Sequence, residues 1–180
     1  MKGMELNNFI FDNYKVVNFV NATENQTKQV LNLRNKGSIR KWMFNQDIIS
    51  EKEHKKFIKK LVSDLKNFYW SVFTENNELL GVVYLNNVNF NHFHAYLGIY
   101  ANIDINISGK GNILMKILKK IAFTDLQLHT LKLEVFSENE QAIKFYKEQN
   151  FKLEGEMKEF VFINNHWFDV LIFGMTNPNS

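Results

Sequence analysis

Residues 96–112 read YLGIYANIDINISGKGN, and the rest of the chain is best interpreted from this stretch. An apolar run passes into a polar loop, and Gly109-Lys110-Gly111 then opens a helical pattern. The first turn of a helix has unpaired N–H groups and partial positive charge, and glycine lets the backbone approach a ligand closely. The loop Asn106–Asn112 is therefore a candidate phosphate cradle, the alternative being a tight turn without a ligand.

The elements on either side of this loop support the interpretation. The preceding strand, residues 92–100, contains Gly98, which weakens a strand and indicates a bulge or the close approach of another backbone or a ligand. We expect a bulge near Leu97–Ile99, which would splay this strand from the strand over 131–136. After the loop, apolar side chains recur at the spacing of one helix face, at Ile113, Leu114, Ile117, Leu118 and Ile121.

Hydrophobic periodicity and turn signals extend the pattern to the whole chain. The predicted strands are 14–20, 68–74, 79–88, 92–100, 128–136, 151–163 and 167–175. Capping boxes predict three helix starts, at Thr23–Gln26, Ser50–Glu53 and Ser137–Glu140. The resulting order, β-α-α-β-β-β-α-β-α-β-β, predicts an α+β fold with a mixed central β-sheet and helices on both faces. We expect one domain over residues 1–180.

Composition and charge exclude several classes of protein. Apolar residues make up 45% of the chain, which has 17 Phe and one Pro, so a densely packed core is expected. Without cysteine there is no thiolate zinc site and no cysteine nucleophile, and we expect no metal. The net charge is only +3 and the lysines fall at helical spacing, which indicates solvated helix faces and no nucleic-acid partner. Residues 1–13 do not read as a secretory signal and no window is apolar enough to span a membrane, so a cytoplasmic protein is expected.

The element order and two motifs resemble the GNAT N-acetyltransferases. Their loop motif is commonly Gln/Arg-x-x-Gly-x-Gly/Ala, and here residues 106–111 read NISGKG, with both glycines in place and Asn106 departing from the first position. The second block, LKLEVFSENEQAIKFYKEQNFKLEGE at 131–156, has Asn139 and then AIKFY at 142–146 at the family's spacing. The resemblance implies the GNAT fold and acetyl-CoA as co-substrate, with its pyrophosphate on the backbone N–H groups of the loop.

Acetyl transfer from a thioester to an amine needs an anchored co-substrate, a polarised carbonyl, a neutral amine and a proton for the thiolate. Tyr146 is the candidate general acid, because a phenol with a pKa near ~10 is still protonated at neutral pH. Glu134 is the candidate base, the alternatives being a surface carboxylate and a water chain that makes a base unnecessary. Asn139 either caps its helix or bonds the pantetheine arm. The candidate residues for binding acetyl-CoA are Leu97, Gly98, Ile99, Asn106, Gly109, Lys110, Gly111, Asn112, Asn139 and Phe145.

A narrower resemblance, running nearly end to end, is to the PseH enzymes. It rests on LRN at 33–35, the helix with His54, AYLGIY at 95–100, QLHTLKLEV at 127–135 and YKEQNFKLEGEMK at 146–158. PseH enzymes acetylate the 4-amino group of a UDP-linked 4-amino-4,6-dideoxy-altrose derivative in pseudaminic acid biosynthesis, which feeds flagellin glycosylation. The resemblance implies seven residues that bind the UDP-amino-sugar: Arg34, Trp42, Met43, His54, Asn86, Asn87 and Tyr100. In PseH-like sequences a Thr-Lys pair can occupy the place of Asn86-Asn87.

Several alternatives remain open from the sequence. The acceptor is either the UDP-amino-sugar or a protein N-terminal amine, and the Arg, His, Trp and Asn residues of the acceptor half favour an anionic nucleotide. A non-enzymatic acyl-CoA-binding domain is the third hypothesis, against which an intact Tyr146 argues. His54 either contacts the nucleotide or is a buried structural histidine, and Trp42 and Met43 either line the pocket or only pack. A homodimer through the C-terminal strands is a further hypothesis.

Overall fold

The computed structural model describes residues 7–178, in which eight strands form one mixed sheet. The strands are β1 (Phe9–Phe11), β2 (Tyr14–Asn18), β3 (Phe68–Phe73), β4 (Leu79–Asn89), β5 (His94–Ala101), β6 (Thr130–Phe136), β7 (Lys152–Ile163) and β8 (His166–Thr176). The helices are α1 (Glu24–Arg34), α2 (Gly37–Arg40), α3 (Glu51–Leu61), α4 (Lys110–Lys119) and α5 (Glu140–Glu148). The strand order is β1-β2-β3-β4-β5-β6-β8-β7, antiparallel except for β5 and β6, so the predicted α+β fold with a mixed sheet is confirmed. Residues 1–6 of the N-terminal segment lie outside the described residues.

Local sequence signals account for the starts of α1 and α3. The Thr23 hydroxyl accepts from the Gln26 N–H while the Gln26 side chain accepts from the Thr23 N–H, and Ser50 and Glu53 form the same reciprocal pair. Each pair satisfies two N–H groups that would otherwise lack a partner at the end of the helix. Both predicted capping boxes are therefore confirmed.

The start of α5 differs from the prediction. The capping box expected at Ser137–Glu140 is wrong, because Asn139 caps this helix and its Oδ1 accepts from the Ala142 N–H at 3.2 Å. The Asn139 N–H is donated to the carbonyl oxygen of Phe136 at 2.9 Å, and this turn carries the chain past Ser137 before the helix begins.

Helices pack on both faces of the sheet, as predicted. On one face α4 buries Leu114, Ile117 and Leu118 completely against β4 and β5. On the other face α1 and α3 cover a second cluster that includes Leu33 and Val82. Burial of one such side chain is worth roughly 1.5–3 kcal/mol, so these clusters fix the helices that will carry site residues.

The structure departs from the predicted elements near the N-terminus and around the helices. β1 is too short to give a periodic signal, and the predicted first strand ends at Asn18, where a 3₁₀ turn, Phe19–Asn21, begins and keeps Phe19 in the core. The four-residue α2 is also too short to predict, and α4 continues into a π-helical turn, Lys120–Asp125. No helix within residues 7–178 has both the length and the apolar character needed to cross a membrane.

A gap opens between β5 and β6 where their parallel pairing ends. The two strands pair only through His94–Tyr96 and Thr130–Lys132, so the predicted splay is confirmed. The bulge expected near Leu97–Ile99 is wrong, because β5 stays in regular register with β4 from Tyr96 to Ala101. The gap therefore arises from the divergence of two regular strands.

Candidate active site

A groove of about 570 Å³ runs along the gap between β5 and β6. Its walls come from the start of α4, the second half of β5, β6 and α5. The predicted acetyl-CoA residues that line it are Leu97, Gly98, Ile99, Gly109, Lys110, Gly111, Asn112, Asn139 and Phe145. Asn106 is exposed and lies outside this lining. Asn106, where the loop departs from the GNAT motif, is thus the only predicted acetyl-CoA residue outside the described lining of the groove.

The start of α4 has the conformation of an anion-binding turn. Gly109, its N-cap, adopts φ +69°, a left-handed backbone that costs a residue with a Cβ about 1–2 kcal/mol. No side chain of the described residues caps this helix. Lys110 Nζ donates to the carbonyl oxygens of Asn102 and Ile105, at 2.8 and 2.7 Å, and so ties the loop to the helix. The first-turn N–H groups remain available to a phosphate.

The neighbouring edge of β5 and the contact between α4 and α5 complete the groove. Beyond its paired residues, β5 has no described strand partner on the side of β6, so Leu97–Ile99 line the groove with a free backbone edge. A Cβ on Gly111 would come within 3.1 Å of Phe145 Cε2, so glycine lets α5 approach α4 closely. Asn112 Oδ1 accepts from Gln149 Nε2 at 2.9 Å, which links the same two helices.

A second cavity of about 530 Å³, which we call the acceptor cavity, lies beside the groove. All seven residues predicted to bind the UDP-amino-sugar line it, namely Arg34, Trp42, Met43, His54, Asn86, Asn87 and Tyr100. A bulge in β4 brings Asn86 and Asn87 there, because the register shifts between Asn86 and Asn89, and Asn87 adopts φ +52°. The structure gathers these side chains in one place, and their part in binding stays a prediction.

Three buried polar atoms around this cavity have no hydrogen-bond partner among the described residues: Arg34 Nη1, His54 Nδ1 and Asn86 Oδ1. A buried polar group left unpaired costs about 1–3 kcal/mol, so native structures pair nearly all of them. The guanidinium can only donate, the amide oxygen can only accept, and the imidazole can do either. Their clustering at one cavity indicates a site for a polar ligand.

The acceptor cavity is poor in negative charge. Among the described residues, Glu134 is the only acidic side chain of its lining, against Arg34 and His54. Burial lowers the pKa of Arg34. The side chain still stays charged, because the ordinary pKa of a guanidinium lies above 12. Burial also lowers the pKa of His54, so this imidazole is neutral at pH 7. Partial burial raises the pKa of Glu134.

The groove and the acceptor cavity share a wall. The residues that line both are Trp42, Met43, Phe44, Tyr84, Leu97, Tyr100 and Glu134. Sequence reasoning missed Tyr84, whose ring lies over Gly98: an ideal Cβ at position 98 would be 2.0 Å from Tyr84 Cζ. Another backbone or a ligand is the expected neighbour of Gly98, whereas the structure places the side chain of Tyr84, on β4, there. Burial raises the pKa of Tyr84 to about 12, so its phenol is protonated at the junction of the two cavities.

Tyr146 enters the groove from α5 and is only 7% exposed. The rings of Phe145 and Phe151 contact it edge-on, with centroids 5.5 and 5.9 Å away. Burial raises the pKa of Tyr146, so the phenol keeps its proton throughout the neutral range. The groove thus holds a protonated hydroxyl from α5 and, across it on β6, the carboxylate of Glu134.

Comparison with known proteins finds acetyltransferases. A family model for the acetyltransferase (GNAT) domain matches residues 19–172. Acetyltransferase PseH of Campylobacter jejuni subsp. jejuni serotype O:2 is 33% identical over 149 residues, which cover 83% of this chain and 91% of that protein. The spermidine N(1)-acetyltransferase of Vibrio cholerae serotype O1 is 30% identical over 139 residues, which cover 77% of this chain and 80% of that protein.

Solved structures show the same fold. The spermidine N-acetyltransferase of Vibrio cholerae in complex with CoA and spermine superposes with a TM-score of 0.83 at 25% identity, covering 92% of this chain and 96% of that chain. A dodecameric structure of the Vibrio cholerae enzyme in an intermediate state gives a TM-score of 0.77 at 24% identity. The predicted acetyltransferase fold is confirmed.

Proposed function

Because the chain belongs to the GNAT acetyltransferase family, as the match over residues 19–172 shows, we propose that it acetylates a UDP-linked amino sugar. The proposed reaction moves the acetyl group of acetyl-CoA to the 4-amino group of UDP-4-amino-4,6-dideoxy-β-L-AltNAc. This step belongs to pseudaminic acid biosynthesis, which serves the glycosylation of flagellin or other surface structures. Family membership makes the chain an N-acetyltransferase and decides against a non-enzymatic acyl-CoA-binding domain.

The charge of the acceptor cavity is the observation that carries the proposal. Spermidine and spermine bear several positive charges at neutral pH. The described lining, with Arg34 and the single carboxylate of Glu134, does not balance those charges. A peptide amine favours an open, acidic groove, which this cavity does not offer. A UDP-sugar brings a diphosphate, and a guanidinium binds such a group through paired, charge-assisted hydrogen bonds. The similarity to PseH over 91% of that protein's length supports the same acceptor.

The groove suits acetyl-CoA by the chemistry of its lining. The uncapped start of α4 offers N–H groups to the pyrophosphate, and the free edge at Leu97–Ile99 offers backbone groups to the pantetheine amides. When bound, acetyl-CoA supplies the acetyl group, whose C–S bond breaks as the amine forms the new C–N bond. A backbone N–H of Leu97–Ile99 directed at the carbonyl oxygen would stabilise the developing charge by about 3 kcal/mol.

Two side chains move protons in the proposed mechanism. The carboxylate of Glu134, at the shared wall, accepts the proton that the amine nitrogen loses, directly or through water. The hydroxyl of Tyr146 donates its proton to the departing sulfur. The burial that raises the pKa of Tyr146 also disfavours a thiolate formed beside it. The pKa of the phenol and the pKa of the thiol are therefore both raised, and the proton transfer stays feasible.

The acceptor is tested by a thiol-release assay with acetyl-CoA. The purified protein is offered a panel of UDP-4-amino-sugars, spermidine and a peptide with a free N-terminal amine. We expect turnover with a UDP-4-amino-sugar at a kcat/KM well above that for the other two amines. Turnover confined to spermidine or to the peptide would overturn the proposal while leaving the acetyltransferase chemistry intact.

The proton transfers are tested by Tyr146→Phe and Glu134→Gln. Tyr146→Phe should bind CoA normally and lose about 10²–10⁴-fold in kcat, the usual contribution of a general acid. Glu134→Gln should lower kcat/KM. It should also remove the fall in activity that we expect of the wild type as the pH drops through the raised pKa of this carboxyl. An unchanged kcat in Tyr146→Phe would remove Tyr146 from the mechanism. An unchanged acidic limb of the pH profile in Glu134→Gln would mean that the amine loses its proton to water.

Two expectations remain part of the proposal. A cytoplasmic location suits the supply of acetyl-CoA and of a UDP-sugar. A homodimer through the C-terminal strands would use β7, the edge strand of the sheet, where Phe160 and Phe162 are exposed. The dodecamer described for the Vibrio cholerae enzyme shows that a neighbour of this fold assembles.

A further inference from the structure

Arg34, the last residue of α1, has a guanidinium with two different surroundings. Its Nη2 donates to the carbonyl oxygen of Asn45 at 2.7 Å. Its Nη1 is buried at the wall of the acceptor cavity and has no partner among the described residues. No ion pair among residues 7–178 includes Arg34, so no carboxylate of this described part of the chain is paired with its charge. One nitrogen of the guanidinium, Nη2, is thus bonded to the backbone, and the other, Nη1, is open to a ligand.

The carbonyl that Nη2 holds belongs to residues 41–49, which connect α2 to α3 and which we call the wall loop. Arg40 holds the same loop, since its Nη1 donates to the carbonyl oxygen of Gln46 at 2.6 Å and its Nε to that of Asn35 at 2.9 Å. Asn35 in turn exchanges two hydrogen bonds with the backbone of Ile49, at 2.8 and 2.9 Å. The loop is therefore positioned by hydrogen bonds to its backbone, and one of them comes from the acceptor cavity.

The wall loop belongs to both binding sites. Its residues Trp42, Met43 and Phe44 line the groove as well as the acceptor cavity. The ring of Phe44 reaches across to β6, where its centroid lies 5.2 Å from that of Phe136. A shift of this loop changes the shape of both cavities together.

We propose that Arg34 is a positioning residue that couples binding of an anionic acceptor to the placement of the wall loop. The anion, a diphosphate under the proposed function on which this inference rests, binds Nη1 and fixes the guanidinium. The bond from Nη2 to Asn45 then holds the loop against the wall shared with the groove. Because coupling between two sites is reciprocal, a ligand in the groove that contacts the placed loop favours the acceptor by the same factor.

The coupling requires the geometry of arginine. A planar guanidinium holds two acceptors in a fixed relation, whereas a lysine ammonium is a single point charge on a flexible stem. Arg34→Lys keeps the charge and loses the bridge. Arg40→Lys is the matched control, because Arg40 holds the same loop and does not line the acceptor cavity.

The test is hydrogen exchange of the wall-loop amides, followed by mass spectrometry, in protein saturated with CoA. Saturation fills the groove, so added UDP, which carries a diphosphate without a sugar, can act only at the acceptor cavity. In the wild type we expect UDP to slow exchange of residues 41–49 by about tenfold, or about 1.4 kcal/mol, the scale of one charge-assisted hydrogen bond. In Arg34→Lys the slowing by UDP should disappear.

The control separates coupling from simple support of the loop. In Arg40→Lys the loop should exchange faster without UDP and should still be slowed by UDP. Equal slowing by UDP in Arg34→Lys, or no slowing in the wild type, would overturn the inference. If the wild type acetylates a UDP-4-amino-sugar but shows no slowing, the coupling is wrong and the proposed function stands. If UDP slows the loop but no UDP-amino-sugar is acetylated, the coupling stands and the proposed acceptor is wrong.

Discussion

Gly98→Ala should destabilise the protein by displacing Tyr84 from the wall between the two cavities. The backbone of Gly98 is ordinary extended strand, so alanine meets no conformational barrier there. An ideal Cβ would lie 2.0 Å from Cζ, 2.1 Å from the hydroxyl oxygen and 2.5 Å from Cε2 of Tyr84, where non-bonded carbon atoms normally stay about 3.5–4 Å apart. The ring cannot yield freely, because it stacks on Tyr69 with centroids 5.0 Å apart. Overpacking of this kind typically costs about 1–3 kcal/mol.

A double-mutant cycle with Tyr84→Leu isolates the clash. Leucine lacks the two ring carbons and the hydroxyl oxygen that the new Cβ would meet. Gly98→Ala in that background should therefore be neutral, or stabilising by up to about 1 kcal/mol through reduced backbone entropy of the unfolded chain. The coupling energy between the two positions should then be about 1–4 kcal/mol, the difference between these two effects. Gly155→Ala, where a Cβ meets nothing within 4 Å, is the matched glycine control and should cost little.

Urea unfolding of the four proteins in the cycle provides the measurement, with thermal unfolding as a second readout. For a chain of this size the single Gly98→Ala change should lower the Tm by roughly 2–12 °C. The variant should also lose activity, because the displaced phenol disturbs the wall that the groove and the acceptor cavity share. If Gly98→Ala costs the same with tyrosine or leucine at position 84, the close approach of Tyr84 is not the reason for glycine.

Three other positions separate backbone, capping and charge effects. Gly109→Ala should lower the free energy of unfolding, measured in urea, by about 1–2 kcal/mol, because φ +69° disfavours alanine. It should also weaken CoA binding, measured by calorimetry. Gly109→Asn should lose less stability. Asn139→Ala should lose a helix cap worth about 0.5–2 kcal/mol, whereas Asn139→Asp keeps the cap. A raised KM for acetyl-CoA in the Asp variant would identify a contact between the Asn139 amide and pantetheine. An unchanged KM would mean that Asn139 only caps the helix. The free energy of unfolding of the wild type should fall more steeply than that of His54→Gln as the pH drops below about 6.5. Burial lowers the pKa of His54 in the folded state, so the unfolded chain binds the extra proton first. Parallel pH profiles in urea unfolding would contradict that last prediction.

The groove could be predicted from the sequence because its determinants are local. A glycine at a helix start, an apolar strand before it and an amphipathic helix after it each leave a pattern within a few residues of one another. Asn106 lies outside the groove because only its place in a motif indicates it, whereas the capacity to bind an anion depends on Gly109 and the open first turn of α4. The spacing of Ser137 and Glu140 fits a capping box, but the turn at Phe136 makes Asn139 the cap of α5, and that turn leaves no such pattern.

Features set by contacts between distant segments could not be predicted in this way. Gly98 signalled a close approach, but only the register of β4 with β5 identifies Tyr84 as the neighbour. The bulge that turns Asn86 and Asn87 into the acceptor cavity depends on an extra residue in β4, which alternation alone does not locate. The wall loop is held by hydrogen bonds to its carbonyl groups, and every residue type offers a carbonyl, so the sequence carries no sign of it.

Under the proposed function, the choice of acceptor depends on charge placed on a shared fold. The same fold serves a spermidine acetyltransferase at a TM-score of 0.83, so the overall fold alone does not identify the acceptor. A pair of unit charges about 4 Å apart interacts by about 4 kcal/mol at an effective dielectric constant near 20. At about 1.4 kcal/mol per tenfold, one correctly or wrongly signed charge changes affinity by roughly a thousandfold. Within residues 7–178, Glu134 is the only carboxylate in the lining of the acceptor cavity and no ion pair includes Arg34. Under the proposed function, these charges select an acceptor whose amine is carried by an anion.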